Sequence, residues 1–131
     1  MTQEDKQLLL KDICARLPYN VVVRCTDSDT DYKCFLTTDI LHEIQNGYEY
    51  YDYKPYLRPL SSITEEEKED YKHIVGPIIY DEYSNLIIGF ECNTFEQFVL
   101  LENWLNTHHF DYRGLIEKGL ALEAYKGMYE I

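Results

Sequence analysis

The chain has 131 residues, of which 45% are hydrophobic and 27% charged, and these proportions are typical of one folded domain rather than of a disordered chain. Its formal charge of −12 argues against free nucleic acid and anionic membranes as partners, because both attract clustered Lys and Arg. No run approaches the roughly 18 apolar residues of a membrane span, and the acidic N-terminus lacks an export signal, so we expect a cytoplasmic location.

The first predicted element is a helix over 3–16. Thr2 and Asp5 have the spacing of a helix N-cap, and acidic residues favour the positive end of the helix dipole. Pro18 ends the pattern, because the residue before a proline leaves the helical region. One face of this helix is apolar at helical spacing, through Leu9, Leu10, Ile13, Cys14 and Leu17.

A β-hairpin is predicted next, with strands over 20–26 and 33–37. Three consecutive valines favour the first strand, and the residues from Asp27 to Asp31 have turn chemistry. Thr38 and Asp39 then precede a short helical pattern that ends near Gly47.

Five tyrosines stand close together in the segment 48–60, where two prolines argue against a helix or a central strand. We expect an extended segment here, at most an edge strand before Pro55. Tyrosine offers a large contact area at small entropic cost, which suits an interface, but the rings could equally be covered inside the fold. The five are Tyr48, Tyr50, Tyr51, Tyr53 and Tyr56.

The second half of the chain predicts two further helices and a second hairpin. Thr64 and Glu67 form a capping-box pattern before a helix over 65–73, and the hairpin pairs 78–80 with 86–88. A helix over 95–108 is predicted to be central, with Phe98, Leu101 and Trp104 in the core. An irregular tail follows. The fold class is therefore α+β, with three main helices on one face of a small, mostly antiparallel sheet.

No metal or cofactor site is predicted. The four cysteines lack C-x-x-C spacing, so we interpret them as buried thiols of a reduced protein. Asp27, Asp29 and Asp31 begin like a calcium loop, but Tyr32 and Thr38 occupy the positions that require glycine and glutamate.

The densest group of reactive side chains is His108, His109, Asp111 and Arg113. Adjacent histidines point in different directions and rarely share a metal. A helix end accounts for all four residues, since histidines favour the negative end of the dipole and arginine can bind free carbonyls. The alternative is a ligand or catalytic site built from these four side chains.

Acidity is concentrated in two stretches, 27–53 and 65–91, each with a formal charge of −6. Such a field could attract a basic protein and imitate a nucleic-acid backbone, or it could serve solubility alone. The positions of seven acids decide between these two interpretations. One acidic surface is predicted if they lie together on one side of the molecule; they are Asp27, Asp29, Asp31, Asp52, Glu65, Glu66 and Glu69.

Three segments of the chain carry a resemblance: 1–12 with Leu17-Pro18-Tyr19, then 54–62 running into Thr64-Glu65-Glu66-Glu67, and finally 109–116 with 119–124 and 127–129. With them, the chain resembles a family of small uncharacterised proteins of Bacteroides-type gut bacteria and their phages or mobile elements. Tyr125 and Lys126 depart from the Ala-Pro-Glu-Gly ending of that family. The resemblance implies a shared fold and host, and it assigns no site residue.

Two classes of function follow. The first is a non-catalytic interaction or accessory protein, encoded by a phage or mobile element, that binds a basic host protein through an acidic, tyrosine-rich surface. The second is a small enzyme or ligand-binding domain that uses His108, His109, Asp111 and Arg113. The sequence leaves the oligomeric state open.

Overall fold

A computed structural model of the chain describes residues 2–27, 30–47, 52–74, 76, 78–80, 82–83 and 87–129. Within these residues there are four α-helices, which are α1 (Gln3–Arg16), α2 (Thr38–Asn46), α3 (Glu65–Ile74) and α4 (Phe95–Thr107). The strands are β1 (Val22–Thr26), β2 (Asp31–Phe35), β3 (Asp52–Leu57), β4 (Ile78–Tyr80), β5 (Ile87–Phe90) and β6 (Leu122–Glu123). The α+β class is confirmed, with four helices instead of three main ones; the fourth, α2, coincides with the short helical pattern predicted after Thr38.

Side-chain caps set the helix starts. The backbone N–H of Asp5 donates to the Thr2 hydroxyl over 3.0 Å, and the N–H of Thr2 donates back to the Asp5 carboxylate over 3.3 Å. Thr64 and Glu67 make the same reciprocal pair before α3, at 3.0 and 3.1 Å. Each such pair satisfies two N–H groups that the helix leaves unbonded, which explains why these starts were readable from sequence.

The main sheet is mixed and has the strand order β2-β1-β3-β6. Strands β1, β2 and β3 pair antiparallel, and β6 pairs parallel with β3. The prediction that the proline segment is at most an edge strand is wrong, because β3 runs through Pro55 and lies between two strands. Pairing with β6 begins only at Tyr56, so β3 is paired with β1 alone at Pro55, where a missing N–H costs least.

Two clusters of buried side chains form the interior. The first lies between α1, α2, the main sheet and the tail, and it includes Leu9, Ile13, Val23, Leu57 and Leu115. The second lies between α3, α4 and the β4–β5 hairpin. Its buried residues are Tyr71, Ile78, Trp104, Leu105 and Phe110.

Helix α4 is only partly a core helix. Trp104 is buried, as predicted, whereas Leu101 is half-buried and packs against the second cluster from outside. Phe98 is 47% exposed, so its predicted burial is wrong. The buried positions of α4 lie in its last turns, so the N-terminal half of the helix extends beyond the second cluster.

Candidate functional site

The segment 108–113 follows directly after α4 and turns the chain sharply. His108 is the C-cap of α4, with Nδ1 2.9 Å from the Trp104 carbonyl oxygen, and its ring packs on the Trp104 ring. His109 has a left-handed backbone with φ 63° and is only 7% exposed. Its ring stacks on Tyr129, with 3.7 Å between the ring centroids. Burial, followed by repulsion from Arg16, lowers the pKa of His109 to about 4, so this ring is neutral at pH 7.

Asp111 and Arg113 have different bonding partners from the histidines. The Asp111 carboxylate accepts the backbone N–H groups of Leu115 and Ile116, over 2.9 and 3.0 Å, and so caps the following turn. Arg113 donates to Asp12 of α1 over 2.9 Å, and its guanidinium also packs over the Tyr112 ring. The structure therefore does not bring the four predicted residues together as one site.

A buried ion network connects the two clusters of the core, and sequence reasoning missed it. Asp12 and Arg16 are both fully buried, and Arg16 donates to the Asp12 carboxylate over 2.7 and 3.1 Å. Arg16 also donates to the Phe110 carbonyl over 2.6 Å, and Arg113 completes the network from the tail. The pattern was detectable, because Asp12 and Arg16 are four residues apart and lie three and seven residues after Leu9, on the apolar face of α1.

A cleft of about 940 Å³ opens between the start of α3, the end of α4 and the tail. His108, His109 and Tyr129 lie on its wall. The ring Nδ1 of His109 is buried and has no hydrogen-bond partner among the described residues. Four carboxylates and two cationic side chains line the same cleft, so its formal balance is −2; they are Glu66, Glu67, Asp70, Glu123, Arg58 and Lys126.

One ion pair braces this cleft. Arg58 donates to both Glu67 carboxylate oxygens over 2.7 Å, and its guanidinium packs over the Phe110 ring at 4.3 Å. Burial alone would raise the pKa of Glu67, but the bonds from Arg58 and Thr64 outweigh it and hold that pKa below its ordinary value. This pair fixes the start of α3 against the end of α4.

The predicted tyrosine strip is not exposed where it can be described. Tyr48, Tyr50 and Tyr51 lie outside the described residues. Tyr53 is buried and donates to Glu43, and burial together with that bond raises the pKa of Tyr53. Tyr56 is half-buried, and its carbonyl accepts the Tyr129 hydroxyl over 2.7 Å.

The acidic stretches stand at opposite ends of β3. Asp31 and Asp52 flank Thr26 in the register of the sheet, at the start of β3. The acids of α3 lie just past the other end of that strand, because Glu67 of α3 is paired with Arg58, the residue that follows β3. The strand separates the two groups by roughly 17–20 Å, given the usual rise per residue. The described residues therefore give no support to a single acidic surface; Asp29 lies outside them.

An apolar face on α4 was not anticipated. Phe95 is 82% exposed, and Phe98 and Val99 are exposed on the same side of the helix, three and four residues further on. Glu102, seven residues after Phe95, lies on the same side of the helix, and Leu100 is exposed beside these residues. Trp104 faces the opposite side, into the core.

The cysteines differ from the prediction that all are buried. Cys25 is buried, Cys14 is exposed, and Cys34 and Cys92 are intermediate. Among the described residues, no group of three or more His, Cys, Asp or Glu side chains is placed to hold a metal ion. None of the helices in that part of the chain combines the length and apolarity needed to cross a bilayer.

Comparison with known proteins gives no matching family model, no similar curated protein and no similar solved structure.

Proposed function

We propose that this chain is a non-catalytic interaction protein that binds a basic partner protein through the N-terminal half of α4. The observation that carries the proposal is the exposed apolar face of Phe95, Phe98 and Val99, defined here as the α4 face. Contiguous exposed apolar side chains are unusual on a monomer and typically mark interaction sites. Large aromatic side chains are also the residues that dominate binding energy in interfaces.

Charge specifies the chemistry of the partner. From residue 73 to residue 112 the sequence contains no Lys or Arg, but it does contain six acidic residues. Three of these acids, Glu91, Glu96 and Glu102, belong to or adjoin α4. A partner with apolar side chains among Lys and Arg complements this surface, whereas a second copy of the chain would repeat its negative charge. The resemblance to proteins of phages and mobile elements would make that partner a host protein.

A synthetic peptide pair tests the proposal directly. One labelled helical peptide carries a leucine stripe with lysine at all other positions, and its counterpart carries glutamate instead of lysine. Fluorescence anisotropy should show binding of the lysine peptide alone, and the affinity should fall when salt rises from about 50 to about 300 mM. Binding of both peptides, or of neither, would contradict the proposal.

Variants locate the binding surface. The double variant Phe95→Ala/Phe98→Ala should weaken binding of the lysine peptide by about tenfold or more, since it removes the two aromatic anchors. Phe35→Ala is the matched control, because Phe35 is 62% exposed but lies on β2. Equal affinity of the double variant and the wild type would refute the assignment to the α4 face.

A second candidate function, binding of a small cationic ligand in the cleft, is favoured by one specific observation. Carboxylates outnumber cationic side chains around the cleft by four to two. His109 on the cleft wall is neutral at pH 7, so its ring adds no positive charge to this site.

Spermidine is a suitable probe for the cleft. Titration at pH 7 should shift the ring resonances of His109 in the NMR spectrum, with saturation at micromolar to low millimolar concentration. The variant Glu66→Gln/Asp70→Asn removes two of the four carboxylates and should weaken spermidine binding. Unchanged resonances, or equal spermidine affinity in the variant, would exclude this function for the cleft.

A further inference from the structure

Two thiols from different strands meet in the main sheet. The Sγ atoms of Cys25 in β1 and Cys34 in β2 are 3.0 Å apart. The two residues are diagonal neighbours, since Cys25 is opposite Tyr32 and Cys34 is opposite Val23 in the register. Their sulfurs are separated by only about 1 Å more than a disulfide bond, so a small movement of the side chains would join them.

The two cysteines differ in access to solvent. Cys25 is 1% exposed, whereas Cys34 is partly exposed on β2, which forms the edge of the sheet. Burial, followed by the neighbouring Cys34 thiol, raises the pKa of Cys25 to about 12. The thiolate is the reactive form, and burial disfavours it at Cys25. Since Cys34 is also the more accessible thiol, we expect an oxidant from solution to react with Cys34 first.

We propose that Cys25 and Cys34 form an oxidation site, at which a low-molecular-weight disulfide such as oxidised glutathione converts the two thiols into an intramolecular disulfide. This inference is independent of the proposed binding function.

The chemistry proceeds in two exchange steps. The Cys34 thiolate attacks one sulfur of the oxidant, forms a mixed disulfide and releases one glutathione thiolate. Cys25 then loses its proton, its thiolate attacks the Cys34 sulfur, and the mixed disulfide breaks. The second glutathione leaves as a thiolate and takes up the proton that Cys25 lost. Two protein thiols are thereby oxidised, and one oxidised glutathione is reduced to two glutathione thiols.

The bond would change the sheet as well as the sulfur chemistry. It would tie edge strand β2 to β1 and close the segment 25–34 into a covalent loop. Closing a loop of this size restricts the unfolded chain, and we expect Tm to rise by roughly 5–10 °C on oxidation and to return on reduction.

The test uses the full chain with the other two cysteines replaced, Cys14→Ser/Cys92→Ser. After incubation with oxidised glutathione and alkylation under denaturing conditions, intact mass spectrometry should show a monomer that has lost two hydrogen atoms and bears no alkyl group. Recovery of both free thiols, or of disulfide-linked dimers only, would overturn the proposal.

Two further variants of this background test the order of the steps. Adding Cys25→Ser leaves Cys34 alone, and the protein should retain one glutathionyl group. Adding Cys34→Ser leaves only the buried Cys25, and the folded protein should remain unmodified. The reverse pattern would overturn the assignment of Cys34 as the attacking thiol, and circular dichroism of each variant establishes that it is folded.

Discussion

Replacement of Asp12 is the sharpest test of how the two clusters of the core are held together. Its carboxylate accepts three hydrogen bonds, two from Arg16 and one from Arg113. Asp12→Asn keeps the shape of the side chain but removes the charge and turns an N–H₂ group toward two arginines. Arg16 is fully buried, so its positive charge would lose the only carboxylate bonded to it among the described residues.

Breaking one side of a buried ion pair costs about 3–5 kcal/mol, and we expect the free energy of unfolding to fall by that amount. Urea denaturation followed by the fluorescence of Trp104, the single tryptophan, measures it. Glu117→Gln is a matched control on an exposed carboxylate and should change stability by about 0.5 kcal/mol or less. A loss below about 1 kcal/mol in Asp12→Asn would refute the reasoning.

The double variant Asp12→Leu/Arg16→Met separates the cost of an unpaired charge from the contribution of the pair. With both charges removed, no fully buried ion is left without a partner, and only the partly exposed Arg113 loses a carboxylate. The double variant should therefore be more stable than Asp12→Asn. A double variant that is less stable than Asp12→Asn would show that the bond from Arg16 to the Phe110 carbonyl matters more than the charge balance.

Three other predictions follow from the core and from the shifted pKa values. Trp104→Ala should cost about 3–5 kcal/mol of unfolding free energy in urea denaturation followed by circular dichroism, and a loss under about 1 kcal/mol would contradict the burial of Trp104. His109 binds its proton more weakly in the folded state, with a pKa of about 4, than in the unfolded state, with a pKa of about 6.5. The contribution of neutral His109 to folding stability is therefore complete above pH 6.5 and is lost as the pH falls toward 4. The difference in unfolding free energy between wild type and His109→Asn should change by roughly 3 kcal/mol over that window. The pKa of Glu67 is lowered in the folded state, so its contribution to stability is present above the ordinary carboxyl pKa and is lost as the pH falls through the folded value. Arg58→Met should reduce that loss when stability is measured against pH in the acid range, and an unchanged profile would contradict this prediction.

Local chemistry explains why the helices and hairpins could be predicted from the sequence. The start of α1 is set by a cap between Thr2 and Asp5, and both bounds of the predicted helix 3–16 match the structure. The reason given for its end is wrong, because Leu17 before Pro18 keeps a helical backbone and the chain continues as a 3₁₀ helix over Leu17–Tyr19. The two hairpins were readable because β-branched residues flank turn residues. Each of these features depends on neighbours a few positions apart in the chain.

Long-range packing explains the errors. The pattern of α4 is apolar on more than one side, and it does not show which side meets the second cluster, so Phe98 was assigned to the core. The path of β3 through Pro55 depends on where β6 begins to pair, and β6 follows some 65 residues later in the chain. Periodicity carries no information about such a partner.

The candidate site shows the same limit. His108, His109, Asp111 and Arg113 are close in sequence, but a sharp turn at His109 directs them to different parts of the molecule. Asp111 serves a local turn and Arg113 reaches back to α1. The ligand site that the sequence offered as the alternative to a helix end therefore consists of residues whose side chains have different partners in the fold.

The position of the tail has a consequence for biogenesis. Leu115, Leu120 and Ala121 fill the first cluster beside residues of α1 and β1, and the Tyr129 hydroxyl accepts the N–H of Val22 over 2.8 Å. The N-terminal half of the chain thus emerges from the ribosome long before the residues that complete its interior. Native packing has to wait for residue 129, and until then the nascent chain exposes apolar surface of the kind that chaperones bind.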